Sequence, residues 1–248
     1  MGRSILITGG SRGIGAATAR LAASHGWDVA LSYSSRAEDA EAVAADVRTR
    51  GRQAFVQRCE VSDEADVVAL FEAAAERLGP PSAVVVNAGV LDLRTRVEQM
   101  GVERLRRMFD VNLIGAFLTC REAVRAMSTR FGGSGGSIVL IGSAASRLGS
   151  ANEFVDYAAS KGGVDSLTIG LANEVAADAV RVNCVRPGLI YTDIHADAGA
   201  PDRVDELMGN VPMRRGGHAD EVAEAILWLA SDRSSYVTGT FVDVTGGR

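Results

Sequence analysis

The sequence predicts an α/β protein, built on a single doubly wound parallel sheet of about seven strands with helices on both faces. Three observations predict it. Short apolar runs alternate with stretches of helical periodicity from one end of the chain to the other. The first apolar run feeds straight into a loop with glycines at positions 9, 13 and 15, and that loop opens a helix. No repeat, linker or low-complexity tract interrupts the 248 residues, so 1–248 reads as one domain.

The elements follow in order. Ser4 to Thr8 is the first strand, and the helix after it presents Ile14, Thr18, Leu21 and Ala22 as an apolar face. Asp28 to Tyr33 is the second strand, Arg36 to Arg50 a helix, Gln53 to Arg58 the third strand and Glu64 to Leu78 a helix. Pro80-Pro81 ends that unit, since neither residue can donate to a helix. Ala83 to Val86 is the fourth strand and runs into Asn87-Ala88-Gly89. A long helix, Val102 to Met127, carries Asn112 in an apolar stretch, where a buried amide needs partners and commonly ties down backbone. Ile138 to Ile141 is a buried strand, Ser146 to Asp156 a polar loop, and a helix starts at Tyr157 with Leu167, Leu171 and Val175 at helical spacing. Val180 to Val185 is the next strand. Pro187-Gly188 breaks the pattern, and residues 189–209 are long and irregular, as active-site lids often are, so they read as a substrate-loop region. Asp220 to Leu229 is the last helix and Thr240 to Val244 the last strand. Strand and helix alternating in this way give right-handed crossovers.

Two stretches carry chemistry. The glycine loop follows a strand and opens a helix, the context in which backbone N–H groups approach a pyrophosphate. One glycine suffices for an ordinary turn; three at 9, 13 and 15 favour the phosphate cradle. The second stretch is Ser137 to Lys161. Ser143 sits just past the C-terminal end of a strand, the edge where open parallel sheets bind ligands. Tyr157 and Lys161, four apart on a helix, share a face, and a lysine cation one turn away favours the phenolate. Ser143 can then donate to a carbonyl oxygen while Tyr157 gives or takes a proton. Alone, such a Tyr–Lys pair is usually a surface feature; its weight comes from the serine and the glycine loop.

Composition narrows the field. Hydrophobic residues at 47% and charged residues at 23% are ordinary for a globular protein. With 26 basic and 31 acidic residues the net charge is −5, which gives nucleic-acid binding no electrostatic support. The first ten residues offer only Ile5-Leu6-Ile7 as an apolar core, too short for a signal peptide, and no run is long enough to span a bilayer. Three scattered cysteines suggest free thiols in a reducing, cytoplasmic setting, and His25, His195 and His218 show no metal-ligand spacing with them, so no metal site is expected. The arginines 94, 96, 104, 106 and 107 are interleaved with acids and read as a solvated face.

Gly9-x-x-x-Gly13-x-Gly15, Asn87-Ala88-Gly89, Asn112, Ser143, Tyr157-x-x-x-Lys161 and Pro187-Gly188, in this order, resemble the short-chain dehydrogenase/reductase family, a Rossmann-type family. The resemblance covers the whole chain, through Tyr236-Val237-Thr238-Gly239. It implies an NAD(P)-dependent enzyme acting on a carbonyl or secondary alcohol. Tyr157 would be the general acid/base, Lys161 would lower its pKa and hold the nicotinamide ribose, and Ser143 would orient the substrate oxygen. Asn112 would keep a water in a proton relay toward the lysine. Gly9, Ser11, Arg12, Gly13, Ile14 and Gly15 would form the phosphate loop. Asn87, Ala88 and Gly89 would line the adenosine side, and Pro187, Gly188, Ile190 and Thr192 would cup the nicotinamide. Glu60, in Cys59-Glu60-Val61, stands where many relatives place an Asp on the adenine, with Val61 beside it. Asn173 stands where relatives that reduce carrier-bound acyl groups often have an Arg.

The cofactor is expected to be NADP(H), with NAD(H) possible. An NAD site wants a carboxylate at the end of the second strand. That end reads Ser32-Tyr33-Ser34-Ser35-Arg36, with Tyr33 where related NAD enzymes place the acid. Ser34, Ser35 and Arg36 suit a 2′-phosphate, with Arg12 reaching it from the glycine loop. Ala145, Arg147, Asn152, Phe154, Leu189, Tyr191 and His195 are expected to line the substrate pocket, which suits a sugar, a small ketone or an acyl thioester alike. Leu113, Phe117, Val164, Leu167 and Leu171 are candidates for a helix-on-helix contact, and the resemblance implies a homotetramer built as a dimer of dimers. A competing reading keeps the fold as a nucleotide-binding regulator without turnover; the intact set Asn112, Ser143, Tyr157 and Lys161 favours the enzyme.

Overall fold

The structure, a computed structural model, describes residues 3–248. Seven strands form one parallel sheet: β1 (Ser4–Ile7), β2 (Asp28–Tyr33), β3 (Ala54–Arg58), β4 (Ala83–Val86), β5 (Gly136–Ile141), β6 (Val180–Pro187) and β9 (Phe241–Val244). Their order is β3-β2-β1-β4-β5-β6-β9, so the chain first walks outward from β1 through β2 to β3, then returns to the other side of β1 with β4. Strands buried on both faces need apolar side chains throughout, which is why β1 and β4 read as unbroken runs. Successive side chains point to opposite faces. Ile5, Ile7, Val29, Leu31, Val85 and Val139 enter one core, under helices α1 (Gly13–Ser24), α2 (Ala37–Thr49) and α10 (Ala219–Ala230). Leu6, Ala30, Val84, Val86, Ile138 and Leu140 enter the other, under α3 (Glu64–Leu78), α5 (Gly115–Met127) and α7 (Val155–Val175).

Helix ends follow local chemistry. Asp63 caps α3 by accepting from the Ala65 and Asp66 N–H groups at 2.8 and 3.2 Å. Glu221, in the first turn of α10, accepts from the His218 N–H at 2.8 Å. The helix expected over Val102 to Met127 is continuous but not uniform: α4 (Val102–Phe109) passes into α5 through one wide π-helical turn, Asp110–Ile114. That turn carries Asn112.

The structure departs from the sequence reading in several places. The catalytic-helix candidate α7 begins at Val155, two residues before Tyr157. A short helix α6 (Ala145–Leu148) occupies part of the expected loop, and Gly149 ends it in a left-handed conformation. Residues 189–209 are ordered into a strand β7 (Ile190–Tyr191) and helices α8 (Ile194–Asp197) and α9 (Arg203–Leu207). A second strand, β8 (Gly217–His218), pairs with β7 beside the main sheet. Of the candidate contact residues, Val164 and Leu167 belong to the core, Leu113 and Leu171 pack on it, and only Phe117 is exposed. Ile114 and Ile169, about as exposed as Phe117, lie on the same helices.

Candidate active site

Ligands in open parallel sheets gather where strand order reverses, outside the carboxyl ends. Here the reversal lies between β1 and β4. The glycine loop follows β1, and Asn87-Ala88-Gly89 follows β4. Asn87 joins them: its Nδ2 donates to the Thr8 and Gly9 carbonyls at 2.9 and 2.8 Å. Gly9 has φ +65°, and a Cβ there would stand 2.9 Å from the Ala88 Cα. A Cβ on Gly15 would stand 2.4 Å from the Gly9 carbonyl oxygen, so Gly15 lets α1 pack against the loop from behind rather than line the opening.

A cleft of about 760 Å³ opens over these strand ends. It gathers most of the residues singled out in the sequence. Gly9, Ser11, Arg12, Gly13 and Ile14 form one wall, with Ser34, Ser35, Arg36, Glu60 and Val61 beside them. Asn87, Ala88 and Gly89, then Ser143, Tyr157 and Lys161, then Pro187, Gly188, Ile190 and Thr192 complete it. The size is that of a cofactor site, and the residues fit a dinucleotide. The glycine loop has backbone where side chains would block approach, and the Arg12 Nη1 is buried without a hydrogen-bond partner.

β5 delivers Ser143 and α7 delivers Tyr157 and Lys161 to the same end of this cleft. The Ser143 Oγ accepts from the Ala145 N–H at 3.1 Å. The Lys161 Nζ donates to the Ile141 carbonyl at 2.7 Å and sits 5.8 Å from the Tyr157 ring centre. Burial pushes the Lys161 ammonium down to about 8, while Cys184 and Asp165 pull it back up. The phenol differs from the sequence reading. Burial raises its pKa, and the hydrogen bond with Ser143 opposes that rise. The lysine, drawn to the Ile141 carbonyl, does not overcome the burial. Gly89 makes room for the cluster, because a Cβ there would meet the Asn112 Oδ1 at 3.2 Å and the Lys161 Nζ at 3.6 Å.

Asn112 lies behind the cleft wall. Its Oδ1 accepts from the Val90 N–H at 2.7 Å and its Nδ2 donates to the Val90 carbonyl at 2.9 Å, a two-point clamp on the backbone after β4. Its Nδ2 also lies 3.3 Å from the Ser160 Oγ on α7.

A further anchor was not legible in the sequence. Asp156, with its side chain fully buried, accepts from the Tyr157 N–H at 2.9 Å. Its carboxylate takes the Arg104 guanidinium at 2.7 and 3.3 Å, and the Arg104 Nη1 reaches the Leu93 carbonyl at 2.6 Å. Arg104 therefore leaves the solvated arginine face that the interleaved charges suggested. Its neighbours stay on it, with Arg96 on Glu98 at 2.6 Å and Arg106 on Glu103 at 3.2 Å.

The substrate side is walled by Ala145, Phe154, Leu189 and His195, as expected, together with Val90, Leu91 and Leu148. His195 is pushed down to about 4, first by burial and then by the Arg203 and Arg94 charges, so it is neutral. Arg203 is itself spent on Glu153, at 2.5 and 2.6 Å. Three expected lining residues point elsewhere. The Tyr191 hydroxyl donates to Asp205 at 2.6 Å while its ring stacks on His218, Asn152 accepts from Arg96 at 2.7 Å, and Arg147 lies 3.3 Å from Asp243. Glu153, Asp197 and Arg203 line the cleft without any motif to announce them; only the irregular 189–209 stretch hinted at the last two.

Among the described residues, no helix is long and apolar enough to cross a membrane, and no group of three or more His, Cys, Asp or Glu side chains is arranged to hold a metal ion.

Known proteins resemble this chain over nearly its whole length. Residues 9–248 match the family model described as enoyl-(acyl carrier protein) reductase. The chain is 53% identical over 243 residues to the uncharacterized oxidoreductase YgfF of Escherichia coli (strain K12), with 98% of each chain covered. It is 39% identical over 246 residues to the cis-4-hydroxycyclohexanecarboxylate dehydrogenase of Sinomonas cyclohexanicum, covering 99% of this chain and 96% of that one. A solved variant of a short-chain dehydrogenase/reductase from Serratia marcescens matches the fold with a TM-score of 0.91 at 33% identity, covering 99% and 97% of the two chains. By sequence and by fold, the chain is an oxidoreductase of the short-chain dehydrogenase/reductase family, which acts on alcohol and carbonyl groups with a nicotinamide dinucleotide.

Proposed function

We propose that the protein is an NADP(H)-preferring oxidoreductase that interconverts a small, largely apolar ketone and its secondary alcohol. The observation that carries this reading is one cleft lined both by Ser143, Tyr157 and Lys161 and by Arg12, Ser34, Ser35 and Arg36. The nicotinamide, when bound, supplies or takes the hydride. The chain supplies position and the proton. In reduction, the Ser143 hydroxyl donates to the carbonyl oxygen and the Tyr157 hydroxyl gives it a proton; in oxidation Tyr157 takes that proton back. Lys161 stands beside the phenol and holds the ribose, and Asn112 keeps the backbone after β4 in place. Val90, Leu91, Leu148, Phe154 and Leu189 favour an apolar ketone over a sugar, since Arg203 is spent on Glu153 and the His195 Nδ1, buried without a partner, is left to meet a single polar group. The Sinomonas relative, by its name, acts on a hydroxylated cyclohexane ring, which is consistent with this class. Buried free thiols at Cys59, Cys120 and Cys184 fit a reducing compartment such as the cytoplasm.

The cofactor reading is tested by titrating NADPH and NADH separately into the protein, with Arg12→Ala and Arg36→Ala alongside. A charge-assisted hydrogen bond contributes about 1.5–3 kcal/mol, so the parent should bind NADPH roughly ten- to a hundredfold more tightly. Each alanine variant should lose most of that preference. Equal affinities in the parent would contradict it.

Assembly is part of the same reading. Ile114 on the π-helical turn, Phe117 on α5 and Ile169 on α7, each about half exposed, suit pairing of two copies within a homotetramer. Light scattering at micromolar concentration should give four chains per particle; a stable monomer would refute this.

A further inference from the structure

The two guanidiniums assigned above to a 2′-phosphate are already engaged. The Arg12 Nη2 donates to the Asp197 Oδ2, and the Arg36 Nη2 lies 3.8 Å from the Asp197 Oδ1. One carboxylate thus presents an oxygen to each arginine, as a phosphate monoester would. The arginines come from separate places, the glycine loop after β1 and the turn after β2, whereas Asp197 comes from α8 in the substrate-side segment. Asp193, one turn earlier, is 3.9 Å from the Arg12 Nη1. The Arg12 hydrogen bond, foremost, holds the Asp197 carboxyl below the usual range, so it is ionised at neutral pH. The remaining polar groups here add no cation. Ser34 donates to Glu60 at 3.0 Å, and Asp39 lies 3.4 Å from Arg36.

An anion entering between Arg12 and Arg36 must therefore take the place of an anion already there. We propose that Asp197 is a cofactor-specificity residue, an internal occupant of the 2′-phosphate position that NADPH must displace and NADH need not. This rests on the reading of Arg12 and Arg36 given above. Asp197 opposes the phosphate twice, by holding the two guanidiniums and by like-charge repulsion, and it weakens the discrimination that the arginines create.

The test is direct titration of NADPH, NADH, adenosine 2′,5′-bisphosphate and 5′-AMP into the parent, Asp197→Asn, Arg12→Ala and the Asp197→Asn/Arg12→Ala double variant. The asparagine keeps the size and removes the charge. With the Asp197 side chain 39% exposed and that of Arg12 34%, the pairs are partly screened, and the expected gain is modest. Asp197→Asn should tighten NADPH and the bisphosphate by about three- to tenfold, with NADH and 5′-AMP within about twofold of the parent. In the Arg12→Ala background the gain should shrink to the part that comes from Arg36 and from like-charge repulsion. An unchanged NADPH-to-NADH ratio in Asp197→Asn, equal tightening of both nucleotides, or a full gain without Arg12 would each overturn the proposal. The two readings fail separately. A parent without NADPH preference refutes the cofactor reading alone, provided Asp197→Asn still shifts the ratio. A parent that prefers NADPH with a ratio unmoved by Asp197→Asn refutes this inference alone.

Discussion

Tyr157→Phe is expected to lower turnover of any accepted substrate by about a hundred- to ten-thousandfold, the usual cost of losing a general acid/base. The substitution removes one oxygen. The ring stays half-buried at the start of α7, Lys161 keeps its bond to the Ile141 carbonyl, and the glycine loop comes from a different part of the chain, after β1. Melting temperature and NADPH affinity should therefore stay near the parental values while kcat collapses. The separation of the two readouts is the point: a structural tyrosine would move both, a proton donor moves one. Turnover by Tyr157→Phe at the parental rate would remove Tyr157 from the chemistry.

The second large effect concerns the anchor beneath that tyrosine. Arg104→Met strips the fully buried Asp156 carboxylate of its cation and leaves it mainly the Tyr157 N–H. Breaking a buried pair by removing one partner costs about 3–5 kcal/mol, because the remaining charge is left without compensation. Urea unfolding should show that loss. Arg104→Met/Asp156→Leu, which removes both charges, should recover much of it, since the cost lies in the orphaned charge rather than in the missing contact. A single variant that loses less than about 1 kcal/mol would mean that water or another donor reaches Asp156. The same variant should also slow turnover more than it weakens NADPH, as Asp156 touches the first turn of the helix that carries Tyr157.

What the sequence made legible was local. Parallel strands buried on both faces must be continuously apolar, so Ile5 to Ile7 and Ala83 to Val86 stand out in any window. Gly9, Gly13 and Gly15 mark a backbone that must turn and be approached closely. Tyr157 and Lys161 share a helix face by spacing alone. What stayed hidden depends on residues far apart in the chain. Arg104 meets Asp156 across 52 positions and Arg12 meets Asp197 across 185, and neither distance leaves a trace in composition or period. Arg104 looked like one of five surface arginines because only burial distinguishes it. The wide turn at Asn112 hides in an apolar helical stretch, since the extra residue per turn changes the local period too little to be read. Tyr191 is expected in the pocket, yet Asp205 and His218, brought in by α9 and β8, hold it outside. The tyrosine pKa differs for a related reason: spacing brings the lysine near, but burial, which spacing does not show, raises the phenol.

The most direct test of the whole account is to mix the parent protein with NADPH and a panel of small ketones, substituted cyclohexanones among them, and to follow nicotinamide absorbance together with product. At least one ketone should be reduced to its secondary alcohol with one NADPH consumed per alcohol formed, at a rate that falls when NADH replaces NADPH. Tight NADPH binding with no ketone consumed above the rate of Tyr157→Phe would contradict it, and would describe a nucleotide-binding protein that keeps the cleft without the chemistry.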